Sequence, residues 1–266
     1  MERLHGHCRT LAALAAPVLR QAVAARDGAA QLASTAALLL LEQDESLHAP
    51  FVDGFRTLCD LAPDPRTDDP APHRGFAFTA HLHLAAFARR FEALSDGQWC
   101  ACEEAIPALI EPLRACERFA ESPPPDDRAD VVLWQALCIL EQAAMLRRDI
   151  DAEWVDAVVH QVVGQSALVG DPTSRAAALQ ALCRLALLAR NESWSRRVAM
   201  LVQPRRLGDP GESARPWDLF ALAWIDRTQE SADAMVEDLV HRAPPDVDDA
   251  LILADCCDTI GMFPEG

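Results

Sequence analysis

The chain has 266 residues, half of them apolar, a formal net charge of −17, and 24 basic residues that are all arginines. Lacking lysine and tyrosine, it has no Schiff-base, P-loop or kinase-type lysine and no phenol to act as acid, base or stacking platform. So negative a protein repels phosphate backbones and anionic headgroups, which argues against nucleic-acid and membrane-surface binding and leaves a basic protein or a cationic ligand as the compatible partner.

Alanine and leucine dominate, and both lose little freedom in a helix. Nearly every segment between loop signals has helical periodicity. The first predicted helix spans 2–26. Arg3 and Arg9 ahead of Leu11–Leu19, with Ala22-Val23-Ala24 beyond, have the layout of a secretory leader. Leu4, Leu11, Leu14, Val18 and Ala22 nevertheless form one helical stripe, and Arg20 interrupts the apolar run. The expectation is therefore an ordinary amphipathic helix of a cytoplasmic protein. No apolar run in the sequence reaches membrane-spanning length. The nine cysteines, an odd number spread along apolar faces, fit small buried hydrophobes in a reducing compartment.

Helices over 29–44 and 48–61 follow. Glu45-Ser46-Leu47-His48 between them has a spacing that can put both side chains on one metal, as in di-iron bundles, but those need a second such motif and this chain has none. Ala62–Gly75 is rich in proline and aspartate and reads as a loop. The helix predicted over 76–94 carries Phe76, Ala80, Leu84, Phe87 and Phe91 on one side. His83 falls on that side, with Arg90 one heptad on. Ser95 is a candidate N-cap for a helix over 97–120, in which Pro107 and Pro112 should introduce kinks.

The helix over 128–148 is apolar almost all round and is expected at the centre. On it Glu141 lies beside Trp134 and Met145, with Arg148 one heptad on. Further helices are read over 151–166, 173–189, 192–204, 214–228, 231–242 and 246–261. Asp156/His160 and Glu237/His241 have metal-ligand spacing, but helical phase puts both pairs opposite the valine and alanine stripes of their helices. On the last helix Val247, Ala250, Leu251, Ala254 and Cys257 point inward, while Asp248 and Asp255 share the opposite face.

These elements make a single all-α domain over 1–266: N-terminal helices to residue 61, the loop 62–75, and helical hairpins over 76–266. Hairpin starts near 29, 76, 128, 173 and 214 recur at roughly the HEAT or armadillo period, which predicts about twelve helices in consecutive antiparallel hairpins. A globular bundle of the same helices is the competing arrangement. No Cys-x-x-Cys pair is present to complete a zinc site, and His81 and His83 do not share a helix face, so no metal or other cofactor is expected. Catalytic Ser-His-Asp, Gly-x-Ser-x-Gly and Gly-x-Gly-x-x-Gly signatures are absent. The pattern points to a non-catalytic scaffold — an adaptor, chaperone or inhibitor — binding a basic protein, with Asp248, Asp249 and Asp255 as candidate contacts. The alternative is an all-α enzyme in which His83 and Glu141 line an apolar pocket and do acid–base chemistry on a small hydrophobic substrate, since a carboxyl group in apolar surroundings has a raised pKa. A di-metal oxidase is the remote branch of that alternative.

Overall fold

The computed structural model describes residues 2–26, 28–64, 71–115 and 246–261. Within them lie six α-helices: α1 (Glu2–Ala25), α2 (Gly28–Leu41), α3 (His48–Leu61), α4 (Ala71–Arg90), α5 (Asp96–Ala115) and α6 (Val247–Gly261), with 3₁₀ turns at Glu45–Leu47 and Phe91–Ala93. No strand occurs among the described residues, and the all-helical class is confirmed there. No helix among them is long and apolar enough to cross a membrane.

α1 buries Leu11, Ala15, Leu19 and Ala22, a line at i, i+4, i+8 and i+11 along one helix face. Leu14 and Val18, expected in that line, sit half-buried at its edge. α1 is followed by Arg26 in the left-handed region at φ 54°, the conformation that commonly ends a helix. α2 is the centre of the described fold. Ala33 to Leu40 are all buried, because α1, α3, α4 and α6 all pack on it. Its small Ala33, Ser34, Ala36 and Ala37 let neighbouring backbones approach, and three leucines fill the end.

The C-terminus of α2 leaves carbonyl groups with no partner inside the helix. Arg90, from the end of α4, supplies one: its Nε donates to the Leu39 carbonyl at 3.0 Å and its Nη2 to the Leu40 carbonyl at 3.2 Å. A cation there also complements the negative end of the helix dipole. Arg20 of α1 meets Glu42 just beyond, at 2.6 Å.

α4 begins at Ala71, five residues inside the segment expected to be a loop. Pro72 was the misleading signal: proline breaks a helix interior but fits the first turn, where its missing N–H would have no partner anyway. α5 starts where Ser95 predicts. The Gln98 side chain reaches back to accept the Ser95 N–H at 3.1 Å, one half of a capping box. The helix runs on through Pro107 and Pro112.

α6 packs on α1 and α2. The first and last helices of the sequence thus lie side by side. A globular bundle allows this contact, whereas a linear array in which each repeat meets only its neighbours would keep them apart. The helix expected at the centre over 128–148 lies outside the described residues.

Candidate functional site

Two histidines of α4, His81 and His83, are buried. Thr79 to Leu84 are buried without a break, because α4 is covered on several sides. Positions 81 and 83 are separated by about 200° around a helix, so the two rings meet different neighbours.

His83 is fully buried and points toward α3. Its ring stacks on Phe51, with centroids 5.4 Å apart and planes 8° apart, and meets Phe55 edge-on at 5.5 Å. Phe55 in turn packs on Phe87 at 5.9 Å. The sequence expectation that His83 shares the Phe87 side holds, but Arg90 serves the end of α2 and not this ring. His83 Nδ1 lies 3.0 Å from the Thr79 carbonyl. A carbonyl only accepts, so Nδ1 carries the hydrogen and Nε2 is a bare acceptor. Nε2 is buried and has no hydrogen-bond partner. Burial opposes the charged form and pulls the imidazole pKa down to about 4, with the Thr79 contact opposing weakly.

Gly54 explains how the ring fits. A Cβ at this position would stand 2.7 Å from His83 Nε2 and 3.4 Å from Leu32 Cδ2. Glycine in the middle of α3 costs helix stability, and here it makes room for the imidazole edge. On the outer side of Gly54 and Leu32 lies an open groove of about 500 Å³ between α2 and α3, lined also by Gln31, Ala49, Pro50, Asp53, Thr57 and Leu61.

His81 faces the other way. Its Nε2 lies 3.0 Å from Asp255 Oδ1 of α6, with both side chains buried. Nearer the surface, Arg89 Nε donates to Asp258 Oδ1 at 2.9 Å and its Nη2 to the Asp258 carbonyl at 3.3 Å. α6 is therefore tied to α4 through polar side chains while its apolar face rests on α1 and α2.

This corrects the expected place of Asp255. Helical phase puts it on the solvated face opposite Ala250 and Ala254, yet it is fully buried and meets His81 of α4. Asp248 is exposed and Asp249 half-buried. Both stand in the first turn of α6, where carboxylates are favoured by the positive end of the dipole. Asp246 caps the helix, its carboxylate accepting the Asp249 N–H at 2.8 Å. Glu141, Arg148, Asp156, His160, Glu237 and His241 lie outside the described residues.

Of the Glu45/His48 pair, Glu45 is exposed and His48 is buried at the start of α3. Among the described residues no three metal-capable side chains come together. Cys102 is buried against α3, and burial pushes its thiol up to about 11 despite the nearby Arg56. Cys59 of α3 is turned to donate to the Ala105 carbonyl of α5 at 3.7 Å.

Sequence reasoning missed the His81–Asp255 pair and the Gly54 contact. Gly54, a glycine inside an otherwise regular helical pattern, was a signal of close approach available in the sequence. Nothing local announced the pair, whose members are 174 positions apart. Comparison with known proteins finds no family model, no curated relative and no solved structure that matches the chain.

Proposed function

We propose that the chain is a non-catalytic helical scaffold that binds a basic protein partner, as an adaptor, chaperone or inhibitor does. In this reading about twelve helices, the number the sequence periodicity supports, form the frame. The supporting observation is where carboxylates stand on the packed pair α3 and α5. Asp53 and Asp60 are exposed one heptad apart on α3, and Asp96, Glu103, Glu104 and Glu111 are exposed along one side of α5, with Arg56 as the exposed cation among them. Such lines repel one another, and a basic partner offsets that repulsion and is steered in by it. Asp248 at the exposed start of α6 remains a candidate contact in this proposal, whereas Asp255 is engaged inside the fold.

The alternative, an acid–base enzyme using His83 and Glu141, draws on the bare Nε2 of His83. Gly54 and Leu32 stand between that nitrogen and the groove, and an imidazole with a pKa of about 4 is a weak base at neutral pH. The scaffold reading is the better supported of the two.

The test is recovery of the partner from the native cell extract, followed by association kinetics across a salt series with Glu103→Gln/Glu104→Gln and Asp248→Asn/Asp249→Asn variants. The expected partner is basic. Its on-rate should fall by at least about tenfold as salt rises to physiological strength, where the Debye length shrinks to about 8 Å. An acidic partner, or an on-rate indifferent to salt, would overturn the proposal.

A further inference from the structure

Resting on that reading, we infer that the groove between α2 and α3 is where a basic segment of the partner docks, with an apolar side chain on the groove floor and a cationic one against Asp53. An apolar lining, an exposed leucine within it and a carboxylate meet there. The walls are mainly apolar, formed by Leu32, Ala49, Pro50, Gly54 and Leu61. Leu61 is 56% exposed, one of two large hydrophobic side chains left open among the described residues. Asp53 lines the same groove, is exposed, and is followed one heptad later by exposed Asp60 on the same side of α3.

The polar features select the occupant. A wholly apolar ligand would bury the Asp53 carboxylate without a partner, which is costly. An acidic one would be repelled by Asp53, Asp60 and the net charge of −17. Arginine or lysine satisfies the site with both parts of its side chain: the methylene stem covers apolar surface while the head stays at the wet rim with the carboxylate. The groove floor then takes a neighbouring leucine-sized side chain. Gly54 serves this site as well as the core. Its backbone lines the groove, and the space left by its missing side chain admits the His83 ring.

The probe is a fluorescent peptide alternating leucine and arginine, compared with a serine/arginine peptide of equal charge and a leucine/glutamate peptide. Binding is measured by anisotropy to the full chain and to the Leu61→Ser and Asp53→Asn variants. Both substituted side chains are exposed, so the variants should fold, and circular dichroism checks that they do. The leucine/arginine peptide should bind best. Leu61→Ser should weaken it about tenfold while leaving the serine/arginine peptide unchanged, and Asp53→Asn should weaken both basic peptides. The leucine/glutamate peptide should not bind.

Leucine/arginine binding that ignores Leu61→Ser would overturn the groove assignment and leave the basic-partner reading standing. Failure of both basic peptides to bind at low salt would overturn both. Displacement of the peptide by phenethylammonium at equal affinity would assign the groove to a small amine and overturn docking of a protein segment.

Discussion

His81 and His83 stand two residues apart on one buried helix and are held in opposite ways. His83 lies among Phe51, Phe55 and Phe87, keeps one hydrogen bond to its own helix, and is neutral at any ordinary pH. His81 reaches a second helix and a buried carboxylate. The first is a packing element that happens to contain nitrogen. The second is a polar connection between α4 and a segment of sequence far away. Burial alone therefore does not tell what a histidine does; what lies at its far nitrogen does.

The largest effect should come from breaking the polar side. Asp255→Ala removes the carboxylate that His81 Nε2 meets, and removing one partner of such a buried pair typically costs about 3–5 kcal/mol. Denaturant melts should show it, and Asp255→Asn, which keeps a hydrogen-bonding group, should recover part of the loss. A change below about 1 kcal/mol would mean that the pair is no better than a surface ion pair.

The apolar side should show in acid. In the unfolded chain His83 protonates near the ordinary histidine pKa of 6.5, whereas in the fold it stays neutral down to about 4. The unfolded state then binds the extra proton, so the contribution is fully present above pH 6.5 and is lost as pH falls toward 4. The slope is about 1.4 kcal/mol for each pH unit, for a total of roughly 3 kcal/mol. Subtracting the stability-versus-pH curve of His83→Leu from that of the native chain isolates this slope. Parallel curves between pH 6.5 and 4 would place the ring in contact with water.

A smaller effect tests the packing around the same ring. Gly54→Ala gains about 1 kcal/mol of helix propensity but drives a methyl group into His83 Nε2. The ring cannot retreat, being stacked on Phe51 and bonded to Thr79. Overpacking should win, for a net loss of about 1–2 kcal/mol in thermal or denaturant melts. The double variant Gly54→Ala/His83→Ala should relieve the clash and show coupling between the two sites.

The difference between the two histidines also marks where sequence reasoning stops. The burial of His83 was legible, since helical phase lines it up with Phe76 and Phe87, and a helix face is a local property. So were the helices themselves, with His48–Leu61 recovered at both ends and Ser95 marking the start of α5. Helical phase misplaces Asp255 because it shows which side of a helix faces its main neighbour, and not which distant side chain, here His81, meets the other side. The central place of α2 was hidden for the same reason: Ala, Ser and Thr make a weak stripe, and what buries them is the number of helices around them. The N-terminus of α4 was lost to Pro72, which announces a loop or a first turn in the same letter. Of the candidate site, the heptad spacing of Asp53 and Asp60 stands in the sequence but does not mark itself out from other acidic pairs, and the groove required knowing how α2 and α3 cross.

The packing of α6 against α1 has a consequence for how the protein is made. The Cys257 thiol donates to the Cys8 carbonyl across 249 positions of sequence, so α1 waits for a helix made much later. Translation at about 5–20 residues per second keeps that interval open for tens of seconds. During it the faces of α1 and α2 that α6 will cover have no native partner on the ribosome. A contact made with such a distant segment forms late, and the growing chain is exposed to wrong partners until it does.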